Sequence, residues 1–203
     1  GRGERCLDCA VAERCPFRLD LRNEKWLAAL YLDHEHHDGY HRDACVFSDA
    51  SDAEDAMQVA VEYASGARMA YSLHAFMPWE GYEIAFNGTR GRLEHGCRES
   101  VYVSGDGSVP GELAEQGAHL RLLPHFGEAR EMAVEGGEGG HGGGDLRLLE
   151  ALFGEPAPDP LGRAADHRAG AWSIATGIAA NRSIASGAPV RVLDEIPELA
   201  GLS

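Results

Sequence analysis

The chain has 203 residues, of which 44% are apolar and 25% charged, so it is long enough to bury the core of one globular domain. Its formal charge of −15, from 33 acidic against 18 basic residues, argues against partners such as nucleic acid or an anionic membrane. Because no run of about 18 apolar residues occurs and no secretory signal is visible, we expect a cytoplasmic protein without a membrane span.

Four of the five cysteines lie near the start of the chain, at Cys6, Cys9, Cys15 and Cys45. A Cys-x-x-Cys turn lets two thiolates face one centre, and further loops supply the remaining ligands of a tetrahedral zinc ion. The spacing therefore predicts a structural zinc site made by these four side chains. Such a site would hold a loop-rich segment together and take no part in catalysis.

Other interpretations of these cysteines stay open. A site with three cysteines and one histidine could draw on a nearby cluster of imidazoles: His34, His36, His37 and His41. Disulfides would require an oxidising compartment, and an iron–sulfur cluster fits the number of thiolates although the spacing matches no common pattern. The four thiols could also be unremarkable, and Cys97 stands alone.

Residues 1–45 predict a cysteine-rich loop and one short amphipathic helix, which the apolar spacing places at 21–32. The polar segment 33–43 is expected to be a loop. Residues 46–135 predict a sheet region. Its strands are expected as a hairpin from 57–63 and 69–73, a strand, turn and strand over 82–95, and further strands at 100–105, 119–123 and 130–135.

Residues 136–192 predict a Gly-rich loop, two helices and a last strand. The second helix is Ala-rich and ends at Gly187, and residues 188–192 form the strand. Residues 193–203 are a tail. Strands thus come first and helices afterwards, which favours a single α+β domain over 1–203 with an open, mostly antiparallel sheet and helices packed on one face.

Four stretches in this order resemble the C-terminal domain of the Gfo/Idh/MocA family of NAD(P)-dependent oxidoreductases: 6–17, 45–76 with 82–94, 141–153, and 166–192. In that family an N-terminal Rossmann domain binds the nicotinamide cofactor, and the C-terminal domain supplies the substrate pocket and the sheet used for oligomerisation. The resemblance implies that this chain is the second domain alone. The missing Rossmann domain is then its expected partner, alongside a second copy that pairs through one sheet face.

The resemblance implies an intact enzyme that moves a hydride between a sugar, cyclitol or related polyol and NAD(P). The fragment is expected to be inactive alone. No cofactor-binding or catalytic residue is assigned, because the glycines of 136–144 follow no dinucleotide-binding fold and the family's catalytic lysine belongs to the missing part. Two alternatives remain: a zinc-stapled interaction module without catalytic activity, and a glycoside hydrolase that uses a histidine and an aspartate.

The sequence His-Gly-Gly-Gly-Asp supplies the strongest candidates for substrate binding, His141 and Asp145. Glycines let the backbone approach a ligand closely, and in the family this loop lies toward the substrate cleft. His141 could bond a sugar hydroxyl, while Asp145 could bind a hydroxyl or simply favour the helix start. Trp79 and Tyr82 could form an apolar wall for a sugar ring, although such aromatics more often fill a core or an interface.

Overall fold

The computed structural model describes residues 2–101, 111, 117–134, 136–138, 140–155 and 158–202. Its backbone divides into two compact units. The first comprises Gly1–Gln58 with Tyr71–Glu135, and the second comprises Val59–Ala70 with Gly136–Ser203. The single domain expected over 1–203 stays a prediction.

The first unit begins with the cysteine-bearing segment, which has only short helical turns. These are Ala12–Arg14, Leu21–Asn23, α1 (Lys25–Leu27), a wider turn at Ala28–Leu32, and α2 (Glu35–Asp38). The helix predicted over 21–32 is therefore present as consecutive short pieces. The loop expected over 33–43 is wrong at α2, where Gly39 takes a left-handed conformation and ends the helix.

A β-hairpin follows, formed by β1 (Ala56–Glu62) and β2 (Arg68–His74). The amide of Gly66 donates to the carbonyl of Tyr63, and the amide of Tyr63 donates to the carbonyl of Ala67. This confirms the hairpin predicted from alternation. Burial alternates along β1 as the sequence pattern requires.

The main sheet of the first unit has four antiparallel strands in the order β3–β4–β5–β6. They are β3 (Trp79–Gly88), β4 (Gly91–Val101), β5 (Gly117–Pro124) and β6 (Arg130–Met132). Gly91 follows the β3–β4 turn with a φ of 152°, and a Cβ there would collide with the Leu123 carbonyl oxygen. The predicted strand, turn and strand over 82–95 is confirmed. Most of the strand expected at 100–105 lies outside the described residues, and its first two residues belong to β4.

The two faces of this sheet differ in chemistry. Strand register places a set of apolar side chains on one face: Tyr82, Ile84, Phe86, Leu93, Leu120, Leu122 and Met132. The opposite face carries a cross-strand ion pair between Arg121 and Glu131, and His119 Nε2 lies 3.7 Å from the Glu83 carboxylate. On the apolar face, Ile84 is 44% and Phe86 60% exposed.

The second unit contains the two longer helices, α3 (Gly144–Phe153) and α4 (His167–Ser186). The Asp166 carboxylate accepts the amides of Arg168 and Ala169 at 3.0 and 2.9 Å, and Gly187 ends α4 at a φ of 66°. Along α4, Ala175 and Ala179 are buried, because small side chains allow close approach. Both predicted helices are confirmed.

The strand expected over 188–192 is wrong. Residues 188–191 pair with no described strand, and the chain turns instead into α5 (Val192–Glu195) and a final helical turn at Pro197–Leu202. Acidic side chains at Asp194 and Glu195 suit the first turn of a helix. The α+β class with antiparallel sheets is confirmed. No helix in the described part of the chain combines the length and the apolar character needed to span a membrane.

Candidate functional site

The Gly-rich segment forms a tight turn ahead of α3. His141, Gly142 and Gly143 take left-handed conformations with φ of 49°, 62° and 83° in succession. A Cβ on Gly137 would collide with the Gly142 carbonyl oxygen, so the turn closes on itself only with glycine at that point. A left-handed histidine is uncommon, and such backbone conformations concentrate at functional sites.

This turn brings the two main candidates together. The His141 ring nitrogen Nδ1 lies 2.9 and 3.0 Å from the two carboxylate oxygens of Asp145. A carboxylate only accepts, so Nδ1 donates to it, and in the neutral imidazole the other ring nitrogen, Nε2, then presents a lone pair. The side chains are 87% and 58% exposed, which leaves Nε2 accessible to a ligand hydroxyl.

The position of Asp145 bears on both of its proposed roles. Helix α3 begins at Gly144, and no side chain caps it at Gly143, the residue before. Asp145 lies in the first turn, where a negative charge is favourable, and its carboxylate is directed to His141. Helix stabilisation and orientation of the imidazole are therefore both served by one carboxylate.

Trp79 and Tyr82 both lie on β3, on either side of a shift in the register with β4 between Glu80 and Gly81. The Trp79 ring lies 5.3 Å from the Arg98 guanidinium, whereas the Tyr82 hydroxyl lies 3.0 Å from His95 Nε2. A substrate-binding role for either residue stays a prediction.

The His95 contact was not foreseen. His95 Nδ1 lies 2.8 Å from the His119 carbonyl oxygen and donates to it, so in the neutral imidazole Nε2 accepts from the Tyr82 hydroxyl. Tyr82, His95 and the β5 backbone thus form one hydrogen-bonded chain across three strands. Knowledge of the β3–β4 register would have indicated the Tyr82–His95 contact. His95 pairs with Ile84, which is two positions from Tyr82 and on the same face.

The four cysteines of the predicted zinc site line a single pocket in the first unit, together with Arg2, Arg5, Arg18, Phe17 and Phe47. All are free thiols. Among the described residues, no group of three or more His, Cys, Asp or Glu side chains is arranged to hold a metal ion. The side-chain positions bring the predicted ligands to one place without forming a coordination site.

The two sequence segments that carry these cysteines are joined by a buried carboxylate. Asp43 is 1% exposed and accepts Arg5 Nε at 3.0 Å, Arg5 Nη2 at 2.7 Å and the Leu7 amide at 3.0 Å. Arg5 also makes two bonds to Glu35, and the two carboxylates raise the pKa of its guanidinium. No sequence pattern indicated this network, because its three charged residues share no periodicity.

Comparison with known proteins identifies the family. Residues 26–192 match the family described as the oxidoreductase family, C-terminal alpha/beta domain. A curated relative, "Putative oxidoreductase YteT" of Bacillus subtilis (strain 168), is 35% identical over 198 residues, covering 93% of this chain. The chain spans 44% of that relative's length. No solved structure matches this chain. The chain therefore belongs to the Gfo/Idh/MocA oxidoreductase family, of which it is the C-terminal alpha/beta domain.

Proposed function

We propose that this chain is the substrate-binding and oligomerisation domain of an NAD(P)-dependent oxidoreductase that acts on a sugar, a cyclitol or a related polyol. Membership of an oxidoreductase family supports this role over an interaction module or a glycoside hydrolase. The proposed partner is an N-terminal Rossmann domain. NAD(P), bound by that domain, supplies the acceptor for a hydride from the substrate carbon.

The His141–Asp145 pair is the observation that carries the proposal. The Asp145 carboxylate fixes the imidazole by its Nδ1 proton and leaves Nε2 as an exposed acceptor. A polyol presents several hydroxyl donors, so an oriented acceptor selects which hydroxyl is held and how it points. The left-handed turn fixes the base of the side chain, which limits the loss of conformational freedom on binding.

The described residues do not form the fold that usually binds a dinucleotide. In the described structure β6 lies in an antiparallel sheet, and the Gly-rich turn that follows it belongs to no strand–helix–strand unit with a parallel sheet. Cofactor binding therefore belongs to the proposed partner domain. We expect the isolated 203-residue chain to bind neither NAD nor NADP and to turn over no polyol.

The apolar face of the β3–β6 sheet supports the oligomerisation role. Its side chains include Ile84 and Phe86, which are about half exposed, whereas the other face carries charged and polar side chains that favour water. A large exposed apolar patch on a sheet is typical of a protein–protein interface. We propose that a second copy of the chain covers it.

Steady-state kinetics of the parent enzyme test the substrate role. With a panel of sugars and cyclitols and either cofactor, His141→Ala should raise KM for the polyol about tenfold, which corresponds to one lost hydrogen bond. KM for the cofactor should stay unchanged. Asp145→Asn should act in the same direction, because an amide can leave the imidazole in the wrong tautomer.

Glu150→Gln is the matched control, since Glu150 is an exposed residue on the same helix, away from the pair. It should leave both KM values at their wild-type level. The substrate role is rejected if His141→Ala leaves the polyol KM unchanged, or if Glu150→Gln changes it equally. Binding of NAD or NADP by the isolated chain, measured by calorimetry, would contradict the proposal that only the partner domain binds the cofactor.

A further inference from the structure

Four cysteines from two distant segments open onto one pocket. Cys6, Cys9 and Cys15 come from the first loop, and Cys45 comes from the segment after α2. The two segments are held by an antiparallel bridge between Arg5 and Ala44. In this bridge the Cys6 amide donates to the Asp43 carbonyl at 2.8 Å, and the Cys45 amide donates to the Glu4 carbonyl at 2.8 Å. The bridge therefore sets Cys6 and Cys45 close together by backbone contacts alone.

Each of the four cysteines begins a tight turn. The carbonyls of Cys6, Cys9, Cys15 and Cys45 accept the amides of Cys9, Ala12, Arg18 and Ser48, each three residues further on, at distances between 2.9 and 3.4 Å. A turn of this kind can direct successive backbone amides toward the side chain of its first residue.

At Cys9 one backbone amide reaches the sulfur. The Gly3 amide, which lies outside the four turns, donates to Cys9 Sγ at 3.3 Å. Hydrogen bonds to ligand atoms orient them in metal sites, so this contact helps to hold Cys9 Sγ at the pocket.

The walls of the pocket combine aromatic and basic residues. Phe17 and Phe47 line it, with ring centroids 5.1 Å apart. Three arginines also line it: Arg5 and Arg18, which are ion-paired with carboxylates, and Arg2, which lies over the Phe47 ring. One zinc ion with four thiolates carries two net negative charges, which the nearby Arg2 can partly offset.

From these contacts we propose that Cys6, Cys9, Cys15 and Cys45 bind one zinc ion as a four-thiolate structural site. In the described structure the thiols face the pocket without converging, so binding requires rotation of sulfurs about χ1 between staggered positions. Each thiol loses its proton to solvent as its sulfur binds the metal, and no sulfur changes oxidation state. The site would fix the segment of the first unit that has the least regular secondary structure.

Metal analysis of the chain, purified under reducing conditions without oxygen, tests the proposal. Zinc, iron and acid-labile sulfide are measured per chain after dialysis against a weak chelator. We expect about one zinc per chain, lost from the double variant Cys9→Ser/Cys45→Ser. The control Cys97→Ser removes the cysteine on β4 and should keep its zinc. The proposal fails if the wild type holds no stoichiometric zinc, if the double variant keeps it, or if iron and sulfide are found instead.

A second measurement does not depend on the folding of variants. Apo wild-type chain is titrated with Co²⁺, which should produce thiolate-to-cobalt charge-transfer absorption and tetrahedral d–d bands, both abolished by Zn²⁺. Chelation of the bound zinc should add four thiols to those that react rapidly with a thiol reagent. Weak octahedral cobalt spectra, or an unchanged thiol count, would overturn the proposal. Neither readout uses oxidoreductase activity, so its result is independent of the proposed function.

Discussion

At the scale of single residues, the hydrogen bonds of Asp43 hold together a segment of the first unit, a role that buried apolar side chains usually have. It is buried, it is paired with Arg5, and its second oxygen accepts the Leu7 amide. A buried carboxylate is tolerated only when its bonds are satisfied, and removing one partner leaves the other charge uncompensated. The segment around it has few buried apolar side chains, with Leu21 the main one among the described residues.

Replacing the carboxylate therefore has a clear expected result. Asp43→Asn should lower the free energy of unfolding by about 2–4 kcal/mol, because Arg5 loses its buried counter-charge. Urea denaturation gives this value, and hydrogen exchange at the Cys6 and Cys45 amides should accelerate. The control Asp49→Asn, at an exposed position, should change stability by less than about 0.5 kcal/mol. Equal effects of the two variants would contradict the role of Asp43.

The sequence indicated only part of the residue-level picture. His141 and Asp145 were found by their glycine-rich setting, but their pairing needs the left-handed turn that the glycines allow. Trp79 and Tyr82 were grouped by proximity in sequence, which did not indicate their separate contacts with Arg98 and His95. The Arg5–Asp43–Glu35 network joins residues up to 38 positions apart, and local patterns do not record such contacts.

At the scale of elements, α4 was the most predictable part of the fold. Its composition is Ala-rich, and its last residue is followed by a glycine in the left-handed conformation. The strand expected over 188–192 was wrong because its sequence pattern is short. Alternation over five residues is too short to distinguish a strand from an irregular segment, and only a neighbouring strand would have decided it.

The cap of α4 gives a prediction about pH. Hydrogen bonds from the Ala169 and Arg168 amides lower the pKa of Asp166 in the folded protein. The cap therefore stabilises the fold fully above the pKa of the unfolded chain, about 4. This stabilisation is lost as the pH falls through the pKa of the folded state. Asp166→Ala should remove that contribution and lower Tm by a few degrees at pH 7. Asp166→Asn should keep a cap that does not titrate.

Far-UV circular dichroism between pH 7 and acid measures the effect on helix content. The wild type should lose α4 stability on acidification by more than Asp166→Asn does. Parallel curves for these two proteins would show that the cap carboxylate does not contribute to the pH dependence.

The turn between β3 and β4 gives a second prediction at this scale. Gly91→Ala should destabilise the sheet by about 2 kcal/mol or more, because the new Cβ meets the Leu123 carbonyl and a φ of 152° is strained for alanine. Gly88→Ala is a matched control on the same turn, since a Cβ there only touches the Gly91 carbonyl at 3.8 Å. Thermal unfolding compares the two, and a control as damaging as Gly91→Ala would refute the steric argument.

At the scale of the whole molecule, the sequence predicted the class and the family but not the grouping of segments. The tip of the β1–β2 hairpin, Val59–Ala70, belongs to the unit of the C-terminal helices, while the ends of the same strands belong to the other unit. Hydrophobic alternation predicts a hairpin without specifying its tertiary partner. Resemblance over most of the chain supplied the family, and the match to residues 26–192 confirms it.

The proposed pairing of two copies is testable on the sheet. Ile84→Asp places a charge on the apolar face and should convert the assembly to a single chain in solution, because a buried unpaired charge is costly. Asn87→Asp adds the same charge to the opposite, polar face and should leave the assembly intact. Light scattering after size exclusion gives the mass of each protein. A wild type that is already a single chain would end this part of the proposal.

The bridge between Arg5 and Ala44 has a practical consequence for handling the protein. Residues ahead of it, Arg2 and Gly3, line the thiol pocket. A polyhistidine tag inserted beside them would bring competing imidazoles to the thiols and would capture nickel or zinc on its own. Purification handles therefore belong away from this pocket, and shortened versions of the chain should keep Arg5.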